Sequence, residues 1–213
     1  MAFINTVTLA DAEGPVRDLY ERQQSHYGYV PNYAKLFSHR PEVMQLWSDL
    51  LYGVRRNMDK RRFELVTVAA AMAVRSTYCS LAHGKALTEY YSIEDVVAIV
   101  TGADAAPLTT AETEMMRFAR KIAHDAADVV AGDVERLKAH GLTDAEVFDI
   151  AAVATARSFF AQLCEGLGAV GDQPHRAMDG RLKNALTVGK RFETTPRERL
   201  AESYDRDLAA AFQ

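Results

Sequence analysis

The hydrophobic positions of this chain repeat with helical spacing along most of its length. Apolar residues recur every three or four positions, and no segment alternates apolar and polar residues for long enough to predict a sheet. Ser, Thr, Asp or Pro precedes several of these segments, as is usual at helix N-termini. Helices are predicted over residues 11–25, 33–37, 41–51, 60–74, 77–90, 92–102, 108–124, 129–140 and 143–166. We therefore predict an all-α fold.

The centre of the chain, residues 64–83, reads ELVTVAAAMAVRSTYCSLAH. Residues 75–77 predict a break in this apolar run, because Ser and Thr favour helix caps over helix interiors. One straight helix would separate Glu64 from Cys79 by about 22 Å. A chain reversal at the break instead forms an antiparallel helical hairpin, in which residues at equal distance from the turn lie side by side. We expect Glu64 to face His83, and His83 to face Cys79.

The second half of this hairpin carries the candidate chemistry. Ser76 lies three residues before Cys79 and is a candidate N-cap, which would place the thiol at a helix N-terminus, where the macrodipole favours the thiolate. Cys79 and His83 are four residues apart and so share one helix face. A carboxylate that orients an imidazole, which accepts a proton from a thiol, activates a nucleophile. The candidate roles are nucleophile for Cys79, base for His83, and orienting group and proton acceptor for Glu64. Tyr78, beside the thiol, is expected to pack rather than to donate a proton.

The same residues resemble a motif of the alkylhydroperoxidase D (AhpD) and carboxymuconolactone decarboxylase superfamily, whose redox members carry E-x11-C-x2-C-x3-H. Glu64, Cys79 and His83 match this motif in identity and spacing, whereas Ser76 occupies the position of its first cysteine. The flanks are similar as well: GYVPN at residues 28–32 and MDKRRFE at residues 58–64.

The resemblance extends over about residues 10–170, the size of one domain. It implies an AhpD-like helical domain built around the hairpin. It also implies a thiol-dependent, peroxiredoxin-like or alkylhydroperoxidase-type antioxidant oxidoreductase acting on a peroxide or another small molecule. The superfamily further implies a homo-oligomer, commonly a trimer or hexamer.

The serine at position 76 decides which redox chemistry is available. Serine cannot form the disulfide of a cysteine pair, but a single thiolate at Cys79 can still attack a peroxide and become a sulfenic acid. An external thiol is then the expected reductant. The second cysteine of the chain, Cys164, follows Phe160 on an apolar stripe, and we expect it to be buried by packing rather than to resolve the sulfenic acid.

Other functions remain open at the level of sequence. Superfamily members that act on ring lactones work without the cysteine pair, so a decarboxylase-like lyase is one alternative. A non-catalytic oligomeric scaffold or small-molecule binder is another. A metal site from Glu64, Cys79 and His83 is weakly indicated, because the hairpin lacks a second cysteine or histidine. Five aromatic residues line an apolar pocket or, as we favour, belong to the core: Tyr27, Tyr29, Tyr33, Phe37 and Trp47.

Composition narrows the class of protein. The chain has 213 residues and a net charge of −4, which gives no electrostatic reason to bind nucleic acid or an anionic membrane. Two cysteines favour a reducing cytoplasm, and neither a signal peptide nor a membrane span is expected. The chain has no nucleotide-binding motif, and the remaining histidines show no ligand spacing, so we expect no cofactor and no metal.

The end of the chain differs from the rest. Residues 172–213 contain eight Arg and Lys residues among scattered apolar ones, whereas residues 1–171 form the predicted helical domain. Leu200, Tyr204 and Leu208 keep helical spacing. We expect a polar C-terminal arm that lies over the domain or over a neighbouring subunit.

Overall fold

The computed structural model describes residues 2–190, and no β-strand occurs among them. The predicted all-α fold is therefore confirmed. Within the described residues the chain forms eleven α-helices: α1 (Gly14–Tyr27), α2 (Asn32–Leu36), α3 (Pro41–Arg55), α4 (Lys60–Ala73), α5 (Thr77–Leu87), α6 (Ile93–Thr101), α7 (Thr110–His124), α8 (Ala131–Ala139), α9 (Asp144–Gly166), α10 (Gln173–Arg176) and α11 (Gly180–Leu186).

Polar side chains close the N-termini of several helices. At α9 the Oγ of Thr143 accepts the backbone N–H of Glu146 at 3.2 Å, and the Glu146 carboxylate accepts the N–H of Thr143 at 2.8 Å. These two reciprocal hydrogen bonds form a capping box. Helix α7 is capped by Thr109 and not by the adjacent Thr110. The reason is backbone conformation: Thr109 is still extended, whereas Thr110 already belongs to the helix.

Helices α4 and α5 form the hairpin. The turn between them consists of the C-terminal cap of α4 followed directly by the N-cap of α5. Arg75 adopts the left-handed conformation with φ of 56°. Its N–H donates to the carbonyl of Met72 at 3.0 Å, and the N–H of Ser76 donates to the carbonyl of Ala71 at 2.9 Å. These two hydrogen bonds form a Schellman motif. Because Ser76 also caps α5, adjacent residues end one helix and begin the next, which fixes their relative register.

Helix α4 is the centre of the domain. Residues 63–71 are all buried, and the helix packs against α5, α7 and α9. A second hydrophobic cluster joins the start of α5 and the last part of α9 to α1, α2 and α3. Cys79 lies in this second cluster. The side chain of Cys79 on α5 is therefore packed among apolar residues that include those of the last part of α9.

The first part of the predicted C-terminal arm lies over the domain. Helix α11 packs on α5 and α6, where a Cβ on Gly84 would collide with the side chain of Leu186. Glycine permits this close approach. Beyond α11, the N–H of Gly189 donates to Oγ1 of Thr77 at 2.8 Å, so the arm reaches the first turn of α5. The helical spacing predicted for residues 200–208 lies outside the described residues.

Helix α9 is a core helix, although its length and apolar composition would also suit a membrane span. Among the described residues it alone is long and apolar enough to cross a membrane by length and composition, yet 56% of that window is buried inside the protein. Core helices of soluble proteins have the same properties. Phe159 of this helix is 48% exposed, whereas the next residue, Phe160, is buried. Two consecutive residues of a helix point about 100° apart, so only one of them faces the core.

Candidate functional site

Glu64 on α4 and His83 on α5 form a hydrogen bond across the hairpin. Oε2 of Glu64 lies 2.6 Å from Nδ1 of His83. Both side chains are largely buried, with exposures of 11% and 17%. This is the pairing predicted from their equal distance to the turn. With the Nδ1 proton directed at the carboxylate, Nε2 of His83 is the ring nitrogen that remains available to accept a proton.

The charges around this pair favour an ionised acid and a neutral imidazole. Burial, followed by the positive charge of Arg157, lowers the pKa of His83, although Glu64 acts in the opposite direction. Burial works to raise the pKa of Glu64, but the charge and hydrogen bond of His83 hold it below its usual range, assisted by Arg157. Near neutral pH the imidazole of His83 is therefore neutral and can accept a proton, and the carboxylate of Glu64 fixes the orientation of the ring.

The thiol of Cys79 lies at the predicted helix N-terminus but is buried, with 1% exposure. Oγ of Ser76 accepts the N–H of Cys79 at 3.3 Å, which confirms Ser76 as the N-cap. Burial raises the pKa of Cys79, while the charge of Arg157 and the Ser76 hydrogen bond act to lower it. Burial thus outweighs the effects that were expected to favour the thiolate, and the resting thiol is protonated.

Arg157 is a residue of this site that sequence reasoning missed. Its Nη1 lies 3.9 Å from Sγ of Cys79, and the side chain is buried, with 4% exposure of the residue. The position of Arg157 on α9 could have identified it as a buried charged residue. Buried residues recur along this helix at 150, 154, 157, 161 and 164, so that a charged residue occupies a core position. A charge on an otherwise apolar stripe indicates a specific partner.

The guanidinium of Arg157 lies among aromatic rings instead of carboxylates. Its central carbon is 5.3 Å from the ring centroids of both Trp47 and Phe160. Among the described residues it makes no ion pair, and its buried Nε has no hydrogen-bond partner. An unpaired buried charge is costly, so this position favours an anion beside the guanidinium. The sulfur of Cys79 is the group already in place to become one.

His83 and Cys79 lie one turn apart on α5, but no hydrogen bond joins them within residues 2–190. Proton transfer between them therefore requires a bridging water or substrate, as is common before a substrate is bound. Nor does this part of the chain gather three His, Cys, Asp or Glu side chains that could hold a metal ion. The alternative of a metal site at Glu64, Cys79 and His83 gains no support.

Tyr78, next to the thiol, is fixed by a carboxylate of the C-terminal arm. Its hydroxyl donates to Oδ2 of Asp172 at 2.5 Å, and the N–H of Asn32 donates to Oδ1 at 2.8 Å. Burial, followed by the charge of Asp172, raises the pKa of Tyr78 well above its usual range. The phenol therefore stays protonated and serves as packing and anchor. His175 of the arm lies edge-on to Tyr78, with 6.3 Å between ring centroids.

Cys164 is completely buried, as predicted. It belongs to the same hydrophobic cluster as Cys79, and both thiols are free. Burial raises the pKa of Cys164 well above its usual range; a thiolate at Cys79 would raise it further, whereas Arg157 lowers it. The two sulfurs and the guanidinium therefore share one electrostatic environment.

Three of the predicted aromatic residues surround Phe160 beside this environment. Phe37 and Trp47 stack on Phe160 with centroid distances of 5.6 and 4.4 Å, and Tyr33 meets it edge-on at 5.1 Å. These contacts confirm the preferred core assignment for Phe37, which is buried. Tyr27 is 48% exposed and does not belong to the core.

On the solvent side of Trp47, an apolar groove of about 650 Å³ runs between α3 and α9. We call its walls the α3–α9 face. Four large side chains of this face are strongly exposed: Leu46, Leu50, Phe148 and Phe159. An apolar patch of this kind is unusual on the surface of a monomer.

Known proteins share this segment and this fold. Residues 41–121, which include the hairpin, match the profile of the Carboxymuconolactone decarboxylase family. The AhpD core of an uncharacterized peroxidase-related protein from Ralstonia eutropha JMP134 superimposes with a TM-score of 0.74 at 23% identity, over 89% of this chain and 98% of that one. An uncharacterized peroxidase-related protein from Silicibacter sp. TM1040 gives 0.68 at 21% identity, over 81% and 95%. A complex of the debrominase Bmp8 with 2,3,4-tribromopyrrole gives 0.69 at 14% identity, over 86% and 97%. No curated protein matches the chain. The predicted resemblance is confirmed over residues 41–121, and these structures confirm the predicted AhpD-like fold.

Proposed function

We propose that this AhpD-like protein is a thiol-dependent peroxidase of the alkylhydroperoxidase type, an antioxidant oxidoreductase with Cys79 as its single peroxidatic cysteine. The observation that carries the proposal is the buried guanidinium of Arg157, 3.9 Å from Sγ of Cys79. A cation in this position stabilises a thiolate, which is the reactive form of cysteine. Among residues 2–190 no carboxylate forms an ion pair with Arg157, although its charge also acts on Glu64.

The Glu64–His83 pair supplies the proton acceptor. Glu64 holds Nδ1 of His83, so that Nε2 accepts the thiol proton through the bound peroxide or a water. The thiolate, paired with Arg157, attacks the nearer peroxide oxygen; an S–O bond forms as the O–O bond breaks. The departing alkoxide takes the proton from His83. The products are an alcohol and Cys79 sulfenic acid.

Regeneration requires reducing equivalents from outside the protein. One external thiol condenses with the sulfenic acid to a mixed disulfide and releases water. A second external thiol then attacks the external sulfur of this mixed disulfide, so that Cys79 leaves as its thiolate and the two external thiols form a disulfide. A cytoplasmic location, where such thiols are kept reduced, suits this cycle. The proposed partners are therefore a peroxide and a small or protein thiol, without nucleic acid or membrane.

The structurally similar proteins are compatible with this proposal but do not select it. Two are described as peroxidase-related and a third as a debrominase. One fold can support several chemistries, so the function has to be inferred from the residues around the thiol. A ring-lactone lyase remains the alternative enzyme, although no residue of the site points to it. The burial of Cys79 and its raised pKa favour a second alternative, a non-catalytic binder or scaffold.

Peroxide titration separates these functions. Protein is treated with hydrogen peroxide or cumene hydroperoxide in the presence of dimedone, and sulfenic acid at Cys79 is followed by mass spectrometry. His83→Ala should slow this oxidation by about 100-fold, because a positioned base contributes at least that much. His140→Ala, at an exposed histidine that ends α8, is the matched control and should behave as the unchanged protein. If the unchanged protein and the His83→Ala variant are both folded and neither is oxidised by peroxide, the peroxidase function is rejected and the non-catalytic binder remains.

We also propose that the protein is a homo-oligomer, as the superfamily resemblance implies. The α3–α9 face is the candidate contact, because its four large apolar side chains are exposed together on one surface. A second copy would remove them from water, and symmetric association of identical chains is the usual arrangement.

A further inference from the structure

Cys79 is closed off from solvent, although the proposed reaction requires a peroxide to reach its sulfur. The residue is 1% exposed, and both Glu64 and His83 are largely buried. A path to the sulfur must therefore open by movement of a side chain that stands between the thiol and a larger space. The contacts of Arg157 point to one such side chain.

Trp47 stands between the thiol and the groove of the α3–α9 face. Its side chain lines the groove, and its ring centroid lies 5.3 Å from the central carbon of the Arg157 guanidinium. Nη1 of the same guanidinium is 3.9 Å from Sγ of Cys79. The sulfur is therefore within about 11 Å of the indole centroid, and the guanidinium contacts both groups.

The indole of Trp47 is held by few contacts and has space beside it. Its Nε1 donates to the carbonyl of Ala156 at 3.1 Å, and its ring stacks on Phe160 with a centroid distance of 4.4 Å. The floor of the groove next to it consists of small side chains, Ala151, Ala152 and Ala156. A groove of about 650 Å³ has room for the indole to turn outward, which would uncover the guanidinium and the sulfur behind it.

We propose that the groove of the α3–α9 face is the entrance to Cys79 and that the indole of Trp47 is its gate. The inference rests on the proposed function for the identity of the peroxide that enters, whereas the entrance itself depends only on the fold. All lining residues except Thr155 are apolar. The groove therefore binds the hydrocarbon part of an organic molecule, and its polar end passes Trp47 toward Arg157.

The entrance and the proposed contact between copies use different parts of this face. The large exposed side chains form the rim: Leu46, Leu50, Phe148 and Phe159. The alanine side chains form the floor, which is deeper because they are short. A second copy that rests on the rim would leave the floor unfilled. The groove would then become a chamber between two copies, with Trp47 as its inner wall.

Alkylation of Cys79 tests the gate without any peroxide. The folded protein is treated with N-phenylmaleimide, and modification of the Cys79 peptide is followed by mass spectrometry. Trp47→Ala should increase the rate by at least about 10-fold, because a minor open conformation is typically populated to about 10% or less. Tyr33→Ala is the matched control and should react at close to the unchanged rate. Tyr33 also meets the ring of Phe160, at 5.1 Å, but does not line the groove.

A second variant blocks the groove and leaves the gate in place. Ala152→Phe fills the floor and should slow the alkylation of Cys79 by a similar factor. The contact between Trp47 and Arg157 is retained in this variant, so a change in rate reports access to the thiol and not the pKa of Cys79. Circular dichroism checks the fold of every variant, and if Trp47→Ala does not fold, the result for Ala152→Phe decides alone.

The outcomes separate the gate from the peroxidase. Faster alkylation in Trp47→Ala together with slower alkylation in Ala152→Phe supports the gate, even if peroxide oxidises none of these proteins and the proposed function fails. A folded Trp47→Ala that reacts no faster than Tyr33→Ala overturns the gate. So does a folded Ala152→Phe that reacts at the unchanged rate. Oxidation of Cys79 by peroxide in those proteins would leave the peroxidase intact with its entrance elsewhere.

Discussion

At the scale of single residues, the reactivity of Cys79 depends on a competition between burial and one positive charge. Burial raises the pKa of the thiol, and Arg157 is the first of the groups that lower it. The same guanidinium lowers the pKa of His83 and helps to hold that of Glu64 down. One side chain from a distant helix thus adjusts the acid, the base and the nucleophile together.

Replacement of Arg157 tests this role directly. Arg157→Met keeps a long apolar side chain but removes the charge that lowers the pKa of Cys79, so it should raise this pKa further. Arg157→Lys keeps a charge without the planar fork and should give a smaller rise. The ultraviolet absorbance of the thiolate against pH measures the effect, in a Cys164→Ser background so that only Cys79 titrates.

Urea unfolding of the same variants provides the control for this experiment. A variant that unfolds at the urea concentration of its parent and still shows an unchanged pKa of Cys79 would contradict the role of Arg157. The aromatic contacts of Trp47 and Phe160 with the aliphatic part of the side chain are retained best by methionine, which has a similar length.

At the scale of elements, the hairpin turn brings the acid and the base together. Arg75 supplies the left-handed conformation that ends α4, and Ser76 supplies the side chain that begins α5. A longer turn would shift one helix along the other and separate Glu64 from His83. The pairing at 2.6 Å therefore depends on a reversal that leaves no residue between the two caps.

The cap at Ser76 has a second effect that a matched variant can separate from stability. Ser76→Ala should cost about 1 kcal/mol, as for other N-caps. It should also raise the pKa of Cys79, because the lost hydroxyl acts to lower it. Ser92→Ala removes the equivalent cap of α6 and should cost a similar free energy of unfolding without changing the thiol. Equal thiol pKa values in the two variants would contradict the second effect.

The local features of the fold could be predicted from the sequence because each depends on residue types and spacings within one short segment. The break at residues 75–77, the N-cap Ser76 and the Glu64–His83 pairing follow from spacing within 20 residues of chain. Arg157 and Cys79 are 78 residues apart, and no spacing rule connects them. Likewise, Tyr78 and Asp172 are 94 residues apart. Contacts between distant segments depend on how the helices pack, which helical periodicity does not specify.

At the scale of the whole molecule, the α3–α9 face predicts association. Leu50→Glu and Phe148→Glu place charges where a second copy would bury apolar side chains, and should convert the protein to smaller species. Val130→Glu is the control, since Val130 is 59% exposed and lies outside this face. Light scattering after size-exclusion chromatography measures the mass of each variant. A monomeric unchanged protein would contradict the predicted oligomer.

The position of Trp47 has a practical consequence. It is the single tryptophan of the chain, and its indole lies against the guanidinium that contacts the thiol. The emission of an indole responds to the charge beside it, and that charge is balanced differently when Cys79 is a thiol, a thiolate or an oxidised sulfur. The protein therefore contains a fluorescent reporter of its own redox state, which a stopped-flow instrument reads without any label.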